Sequence, residues 1–303
     1  MKIAVHGLGR MGSQIARKLA ESDTIELIAH NRSPEPIDEA KKHGAIPAYS
    51  KEEVLNAFDS QQPIVWLMLP SEVTDDQLKE WLNILPSSSI IIDGGNSDFR
   101  LTKNRNEIIK EHGSVLVDIG VSGGVWGYKN GFSMMVGSDN QDAFNTLVPA
   151  LDALSNPSGG YEYFGASGSG HFVKMTHNAI EYGMMESLAE GYRLLKEGPY
   201  EGLDLKKAAT VWQKKSVITS WLNELCEEIL SENPELEGIE GVVQQLGEAK
   251  WALEAAAELG IPMPAINDSL QVRLDSENGQ ITYATKLLAA IRNKFGGHDI
   301  NAR

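Results

Sequence analysis

The sequence has a single cysteine, Cys226, among its 303 residues. One cysteine excludes a disulfide within the chain and is typical of proteins from a reducing compartment. Basic residues are also few, since 27 lysines and arginines stand against 42 acidic residues and give a formal net charge of −15. Such a chain lacks the basic surface that nucleic acids or anionic membranes require. We therefore expect neither partner, and a bound anion would need a local group of cations.

Long apolar runs and a leader sequence are absent as well. The longest apolar run, 64–69, is too short to cross a bilayer, and a strand-like pattern begins at the first residues, where a signal peptide would lie. The seven histidines show no metal-ligand spacing. These absences predict a cytoplasmic protein without a bound metal, and the length favours two domains.

The pattern G-x-G-x-x-G lies near the start of the chain. Gly7, Gly9 and Gly12 follow an apolar strand at 3–5 and open a helix predicted over 10–21. The first glycine permits a tight turn, the second lets backbone approach a pyrophosphate, and the third lets the helix pack on the strand. This context predicts a dinucleotide site. The other residues of this segment expected to line it are Leu8, Arg10 and Met11.

The tip of the second predicted strand, 25–29, bears on the choice between NAD and NADP. An NAD site usually has an acidic residue at this tip, whereas this chain has Asn31, Arg32 and Ser33. Hydrogen-bond donors and a positive charge suit the 2′-phosphate of NADP. We therefore predict NADP as the cofactor, with NAD as the alternative. Arg32 could instead be a solvent-facing residue of a loop.

Strand-like and helical patterns alternate as far as about residue 163, and only helical patterns follow. The alternation predicts a doubly wound α/β sheet of the Rossmann type, and the rest an all-α domain. We place the domains at 1–165 and 166–303. Further strands are predicted at 64–69, 89–93, 115–119 and 132–136. Helices of the second domain are predicted at 168–197, 204–213, 216–230, 247–259, 264–274 and 280–295.

One predicted helix, 168–197, sets a base, an amide and an acid in a row. Lys174, Asn178 and Glu181 are spaced at i, i+4 and i+7, so they fall on one face. Exposed helices often carry similar rows, and the spacing alone leaves a plain solvent-facing helix open. The residues predicted to dock the helix on a core are Phe172, Val173, Met175, Ala179, Ile180 and Met184.

Six segments distributed over the chain carry a resemblance to a known family. They are GLGRMG (7–12), IIDGGNS (91–97), GVSGG (120–124), GSGHFVKMTHNAIEYG (168–183), VITSWLNELCEE (217–228) and RNKFGGH (292–298). With these segments the chain resembles, from end to end, the short-chain 6-phosphogluconate dehydrogenases of the 3-hydroxyacid dehydrogenase superfamily. The resemblance implies oxidative decarboxylation of 6-phospho-D-gluconate to ribulose 5-phosphate and CO2, with reduction of NAD(P).

The resemblance also implies roles for single residues. Lys174 would take the proton of the substrate hydroxyl, Glu181 would protonate the decarboxylated product, and Asn178 would orient the substrate between them. Leu69 and Asn96 are the further implied cofactor-binding residues. The implied substrate-binding residues are Asn96, Ser122, Gly123, Gly124, His177, Asn178, Tyr182, Arg273, Arg292 and His298.

The resemblance further implies a homodimer or homotetramer, in which Arg292 and His298 of one tail complete the phosphate site of the neighbouring subunit. Apolar stripes in the helical domain, which include Ala252 and Leu259, independently predict a surface that a second copy would cover.

Some residues depart from the family pattern, and two other functions stay open. Ala249 and Ala252 replace a usual glycine and threonine, and Glu72 stands where the family usually has small residues. A related 3-hydroxyacid dehydrogenase acting on an unphosphorylated acid such as 3-hydroxyisobutyrate is one alternative. A nicotinamide-sensing regulator that binds the cofactor without turnover is the other.

Overall fold

The computed structural model describes residues 1–297 and 299–300. The chain divides into two compact units, Met1–Met175 and Thr176–Arg303. The strands are β1 (Lys2–His6), β2 (Glu26–His30), β3 (Ile46–Ala48), β4 (Ile64–Leu67), β5 (Ile90–Asp93), β6 (Val115–Ser122), β7 (Ser133–Gly137) and β8 (Gly160–Tyr163). The helices of the first unit are α1 (Arg10–Ala20), α2 (Pro34–Lys42), α3 (Lys51–Ala57), α4 (Ser71–Leu82), α5 (Phe99–Glu111), α6 (Gly127–Asn130) and α7 (Gln141–Ser155).

The first unit is built on an eight-stranded sheet in the order β3-β2-β1-β4-β5-β6-β7-β8. All neighbouring strands are parallel except β6 and β7, which are antiparallel. In β1, Ile3 and Val5 join one apolar core while Ala4 joins another. Alternate residues therefore pack on opposite faces, as in a sheet covered by helices on both sides. The predicted doubly wound Rossmann sheet is confirmed.

The two strands that the sequence analysis missed are short and irregular in pattern. β3 has only three residues, Pro47 is one of them, and it pairs with one neighbour at the edge of the sheet. β8 has four residues, Gly160–Tyr163, none of them buried, at the opposite edge. An edge strand needs neither an apolar run nor strict alternation, so the pattern of apolar residues was too weak to predict either one.

The second unit contains the predicted helices, with some shifted ends. The helix α8 (Ser169–Glu197) reaches into it from the first unit, and α9 (Leu205–Trp212), α10 (Trp221–Glu232), α11 (Glu248–Glu258), α12 (Pro264–Glu277) and α13 (Tyr283–Gly296) follow. The predicted helix 216–230 begins later, at Trp221, because the Ser220 hydroxyl accepts from the backbone N–H of Asn223. Likewise, a capping box of Thr282 and Thr285 starts α13.

The prediction of which residues dock α8 was partly wrong. Met175 and Ala179 are buried as expected. Phe172, Ile180 and Met184 are 39%, 51% and 44% exposed. The helix has apolar residues on more than one side, so its pattern alone could not tell which side is inside.

The exposed stripe predicted on α11 was also partly wrong. Ala252 is buried within the single chain, although Leu259 is 68% exposed. Small residues such as alanine pack between helices as readily as they lie at a surface. The pattern of apolar residues on this helix therefore overstates the apolar surface that a second copy could cover.

The two compact units divide inside α8, after Met175, and the domain boundary expected from the sequence between residues 165 and 166 stays a prediction. A Cβ at Gly170 would lie 2.5 Å from the carbonyl oxygen of Met135 and 2.7 Å from that of Asp118. The start of α8 therefore rests directly on β6 and β7, and its first turns belong to the sheet unit. Among residues 1–297 and 299–300, no helix has the length and apolar character of a membrane span.

Two buried histidines end the first two strands beside an aromatic ring. His6 ends β1 and accepts at Nδ1 from the indole N–H of Trp81, at 3.0 Å. His30 ends β2 and donates from Nδ1 to the carbonyl oxygen of Ala48, also at 3.0 Å. Burial, followed by the nearby charge of His30, lowers the pKa of His6 to about 3, and burial also lowers the pKa of His30.

We expect these histidines to make the fold sensitive to acid. The unfolded chain protonates His6 near pH 6.5 and the folded protein only near pH 3, so the free energy of unfolding falls between these values as the pH falls. Protonation of His6 in the unfolded chain lowers the free energy of unfolding by about 1.4 kcal/mol per pH unit. The variant His6→Gln keeps an acceptor for Trp81 and should show a slope shallower by that amount in urea unfolding from pH 4.5 to 6. Equal slopes for the two proteins would contradict the prediction.

Candidate active site

The glycine-rich segment forms a tight loop between β1 and α1. Gly7 has φ +103°, a conformation that favours glycine, and its N–H donates to the carbonyl oxygen of His30 at 3.1 Å. A Cβ at Gly12 would overlap the carbonyl oxygen of Gly7, so α1 packs directly on the turn. A Cβ at Gly9 would have no neighbour within 4 Å among the described residues. Two glycines thus serve the fold, and Gly9 leaves space for something else.

The residues at the tip of β2 hold this loop in place. The side-chain oxygen of Asn31 accepts from the backbone N–H of Leu8 at 3.0 Å. The amide nitrogen of Asn31 donates to the hydroxyl of Ser33 at 3.0 Å. Asn31 therefore braces the glycine loop against the start of α2. Arg32 is exposed, and Ser33 precedes the first residue of α2.

Further predicted site residues follow other parallel strands. Leu69 comes after β4, Asn96 after β5, and Ser122 ends β6. Because β1, β4, β5 and β6 run parallel, their carboxyl ends share one edge of the sheet. Gly123 and Gly124 follow β6 with φ +125° and +54°. The structure brings these residues and the glycine loop to the same sheet edge, where ligands of open α/β sheets bind.

The side chain of Lys174 starts against the backbone of β6. A Cβ at Gly120 would overlap the Cβ of Lys174 and lie 3.1 Å from the carbonyl oxygen of Gly170. Only a residue without a side chain leaves room for the lysine at this point. The position of the lysine is therefore fixed by strand and helix together.

Asp118 anchors the start of α8 from within the sheet. This residue of β6 is fully buried, and its carboxylate accepts from the N–H of Gly168 at 2.7 Å and from that of His171 at 2.9 Å. These two N–H groups lie at the start of the helix, where backbone donors have no partner within the helix. Burial raises the pKa of Asp118, and the charge of His171 opposes that rise.

His171 connects the same helix to α5. Its Nδ1 lies 2.7 Å from the hydroxyl of Thr102, and its ring is buried. Its Nε2 has no hydrogen-bond partner in the described part of the chain. Asp118, His171 and Thr102 therefore hold the turn that precedes Lys174.

The polar row on α8 continues beyond Lys174 with linked side chains. Nδ1 of His177 lies 3.0 Å from the amide oxygen of Asn178 and 3.9 Å from a carboxylate oxygen of Glu181. The amide nitrogen of Asn178 donates to Glu248 at 3.3 Å. Lys174, Asn178 and Glu181 are all half-buried. The row is thus a connected polar cluster, not a fully solvated helix face.

The last predicted substrate residues meet inside the helical unit. The guanidinium carbon of Arg273 lies 3.2 Å from the centre of the Tyr182 ring, and the Tyr182 hydroxyl accepts from the N–H of Leu246 at 3.5 Å. Arg273, Tyr182 and Arg292 are buried. Burial lowers the pKa of Arg292, and the carboxylates of Glu248 and Glu181 in the same chain oppose that effect. The predicted crossing of Arg292 into a neighbour stays a prediction, and His298 lies outside the described residues.

Sequence reasoning missed two carboxylates that shape these sites. Asp118 interrupts the apolar run of β6. A single carboxylate in a buried strand indicates that other groups of the protein donate hydrogen bonds to it, because an unpaired buried charge is costly. Glu248 is buried at the start of α11 and contacts Asn178, but its place in the sequence resembles an ordinary helix start. Within residues 1–297 and 299–300, no group of three or more metal-ligating side chains is placed to hold an ion.

Comparison with known proteins identifies the relatives of this architecture. Residues 2–166 match the family described as the NAD binding domain of 6-phosphogluconate dehydrogenase, and residues 170–301 match its C-terminal domain. The chain is 35% identical to an NAD(+)-dependent, decarboxylating 6-phosphogluconate dehydrogenase of Haloferax volcanii, over 99% of this chain and 98% of that protein. It is 32% identical to a decarboxylating 6-phosphogluconate dehydrogenase of Staphylococcus aureus, over 98% of this chain and 66% of that protein.

A solved structure agrees with these relatives. The Plasmodium falciparum 6-phosphogluconate dehydrogenase, studied in its apo form, with NADP+ and with 6-phosphogluconate, superposes with a TM-score of 0.81 at 25% identity. The match covers 100% of this chain and 66% of that chain. Both halves of the sequence, the fold and the full-length relatives therefore agree that the chain belongs to the 6-phosphogluconate dehydrogenase family.

Proposed function

We propose that the protein oxidises and decarboxylates 6-phospho-D-gluconate to ribulose 5-phosphate and CO2. The observation that carries the proposal is the order of groups along the single helix α8. Lys174 is held by the sheet at one end, and Tyr182 stacks on buried Arg273 eight residues later. Eight residues of helix span about 12 Å. One helix therefore carries a base and, about two turns further on, an anion-binding group, and a substrate with both a hydroxyl and a phosphate needs both.

The glycine loop fits a nicotinamide dinucleotide. The open space above Gly9 and the N–H groups at the start of α1 suit a pyrophosphate. No acidic residue lies in the first turn of α1 to repel it. Leu8, Arg10, Met11, Leu69 and Asn96 would line the same cofactor. When bound, the nicotinamide serves as the hydride acceptor for the substrate carbinol carbon.

The residues of α8 would carry the proton transfers. Lys174 takes the proton of the 3-hydroxyl as the carbon is oxidised, and the protonated lysine then polarises the new keto oxygen while the C1 carboxylate leaves as CO2. The enediol that remains needs a proton at C1, which Glu181 donates. Asn178 and His177 orient the substrate, since both belong to the linked polar row. Asn96, Ser122, Gly123 and Gly124 would hold the carboxylate and hydroxyls.

The helical unit would bind the phosphate. One nitrogen of the Arg273 guanidinium, Nη2, is buried and has no hydrogen-bond partner among the described residues. A buried cationic donor without an acceptor is costly unless a ligand supplies one. Arg292 adds a second buried cation. Two buried arginines favour a phosphorylated acid over a small unphosphorylated one such as 3-hydroxyisobutyrate.

We further propose NADP as the preferred cofactor and a dimer as the working assembly. The exposed Arg32 provides a charge, and the half-buried Ser33 precedes a helix N-terminus, for a 2′-phosphate. The Haloferax relative is named NAD(+)-dependent, so NAD is the alternative. The exposed Leu194 and Leu259, 71% and 68% accessible, offer apolar surface to a second copy, which would also contribute His298.

The proposed reaction is tested by measuring reduced nicotinamide and released CO2 together from 6-phosphogluconate. We expect both products in equal amounts from the wild-type protein and neither from Lys174→Met. Glu181→Gln should lower turnover about 10²- to 10⁴-fold, the usual weight of general acid catalysis. Lys196→Met and Glu197→Gln, at the far end of α8, are matched controls that should keep activity. Absence of both products from the wild-type protein would refute the proposed reaction.

A second test concerns the space above Gly9. Gly9→Ala should leave the free energy of unfolding within about 1 kcal/mol, because the methyl meets no atom of the described residues within 4 Å and φ is −71°. It should weaken cofactor binding by roughly 10-fold or more, since it occupies the approach of the pyrophosphate. Gly160→Ala, equally unhindered but in β8, is the control. Unchanged cofactor affinity in Gly9→Ala would rule out this binding mode.

The cofactor preference is tested at Arg32. A charge-assisted hydrogen bond contributes about 1.5–3 kcal/mol, so Arg32→Ala should weaken NADP binding roughly 10- to 150-fold. The binding of NAD should stay nearly unchanged, which makes NAD the internal control in a fluorescence titration. Equal losses for both cofactors would show that Arg32 does not contact the 2′-phosphate.

A further inference from the structure

The helical unit contains a negative charge where an anion is expected to bind. Glu248, the first residue of α11, is 6% exposed. Its carboxylate accepts from Asn178 at 3.3 Å. The two arginines of the same region, Arg273 and Arg292, are 1% and 7% exposed. Three buried ionic side chains and the Tyr182 ring thus form one cluster.

The charges of this cluster interact. Burial, followed by the nearby charge of Arg292, lowers the pKa of Arg273 to about 10, and the carboxylates of Glu181 and Glu248 oppose that effect. Burial lowers the pKa of Arg292, and Glu248 again opposes it. Buried cations without a counterion would destabilise the protein strongly. Glu248 therefore stabilises the arginines while no ligand is bound.

A phosphate ester brings about 1.5 to 2 further negative charges near neutral pH. If Glu248 stays ionised, two anions share one buried cluster, and each opposes the ionised form of the other. The carboxylate that stabilises the ligand-free protein must then oppose the ligand.

We propose that Glu248 is a specificity-determining counterion, which competes with the substrate phosphate for Arg273 and Arg292 and makes phosphate binding take up a proton. This inference rests on the proposed function only in assigning the phosphate to this cluster. It explains why a strongly acidic protein can keep two arginines buried before any anion arrives. It also sets the affinity for phosphate below what the two arginines alone would provide.

Other titratable and charged groups face the same cluster and enter the design of the test. They are Glu181, Tyr182 and Glu186 of α8, Arg273 and Glu277 of α12, and Arg292 of α13. Among them Glu186 needs its own variant. Its carboxyl group is buried, and burial followed by the charge of Glu190 raises its pKa to about 7. Glu186 therefore titrates near neutral pH, so its own proton exchange has to be measured separately.

The decisive variant is Glu248→Gln, measured in the full chain. Glutamine keeps an oxygen that accepts from Asn178 and removes only the charge. We expect the midpoint of thermal unfolding without phosphate to fall, because the arginines lose their counterion. We expect the affinity for inorganic phosphate to rise roughly 5- to 50-fold, because the repulsion is gone. The KM for 6-phosphogluconate should fall by a similar factor, with kcat changed far less.

A merely structural role for Glu248 would lower both the midpoint of thermal unfolding and the phosphate affinity in Glu248→Gln. The proposal instead predicts a lower midpoint and a higher phosphate affinity. The control Glu258→Gln removes a negative charge from the exposed end of α11. It should change neither the midpoint of thermal unfolding nor the affinity for phosphate. A loss or no change of phosphate affinity in Glu248→Gln would overturn the proposal. If 6-phosphogluconate is not oxidised but phosphate affinity still rises in Glu248→Gln, the proposed function fails and this inference stands. If 6-phosphogluconate is oxidised but phosphate affinity does not rise in Glu248→Gln, the proposed function stands and this inference fails.

Calorimetry of phosphate binding in two buffers with different ionisation enthalpies measures the proton uptake directly. We expect about one proton per phosphate for the wild-type protein and for Glu186→Gln near pH 7, and clearly less for Glu248→Gln. This measurement on the wild-type protein and Glu186→Gln also decides the question if Glu248→Gln does not fold. Zero uptake by the wild-type protein, or uptake that disappears in Glu186→Gln, would overturn the proposal.

Discussion

The close crossing of α8 over the sheet is the constraint on which the candidate active site depends. The backbone of Gly170 touches β6 and β7, and that of Gly120 touches the side chain of Lys174. A Cβ at either glycine would push helix and strand apart. The buried carboxylate of Asp118 then joins the two elements by accepting from the N–H groups that begin the helix. These hydrogen bonds offset the cost of burying the carboxylate.

One continuous helix, α8, carries Lys174 together with the rest of the polar row. Once the first turn is fixed, helix geometry sets the spacing of Lys174, Asn178, Glu181 and Tyr182 without any loop between them. Side chains from rigid elements keep their geometry better than side chains on loops. A comparable arrangement steadies the segment that bears Asn96. There the buried Arg105 donates to Asp93 at 2.7 Å and to the Ser97 hydroxyl at 2.9 Å.

Electrostatics link the acidic composition to the buried arginines. A chain with a net charge of −15 binds an anion only where cationic side chains are concentrated and outnumber the carboxylates nearby. Arg273 and Arg292 provide the cations, Tyr182 offers an aromatic face, and Glu248 supplies a counterion. The same carboxylate orients Asn178. The polar row on α8 and the proposed phosphate cluster therefore share one residue.

The sequence by itself determined the parts of this protein that follow from local pattern. Strand and helix periodicity, the turn at Gly7 and the row of Lys174 and Glu181 depend on residues close together in the chain, so spacing and resemblance sufficed. Tertiary structure alone decided which face of α8 is buried, and it alone placed Asp118 beneath the helix start and Glu248 beside Asn178. These contacts join residues 50 or more positions apart. A single sequence contains no periodicity that marks such a partner, because the contact exists only after the chain has folded.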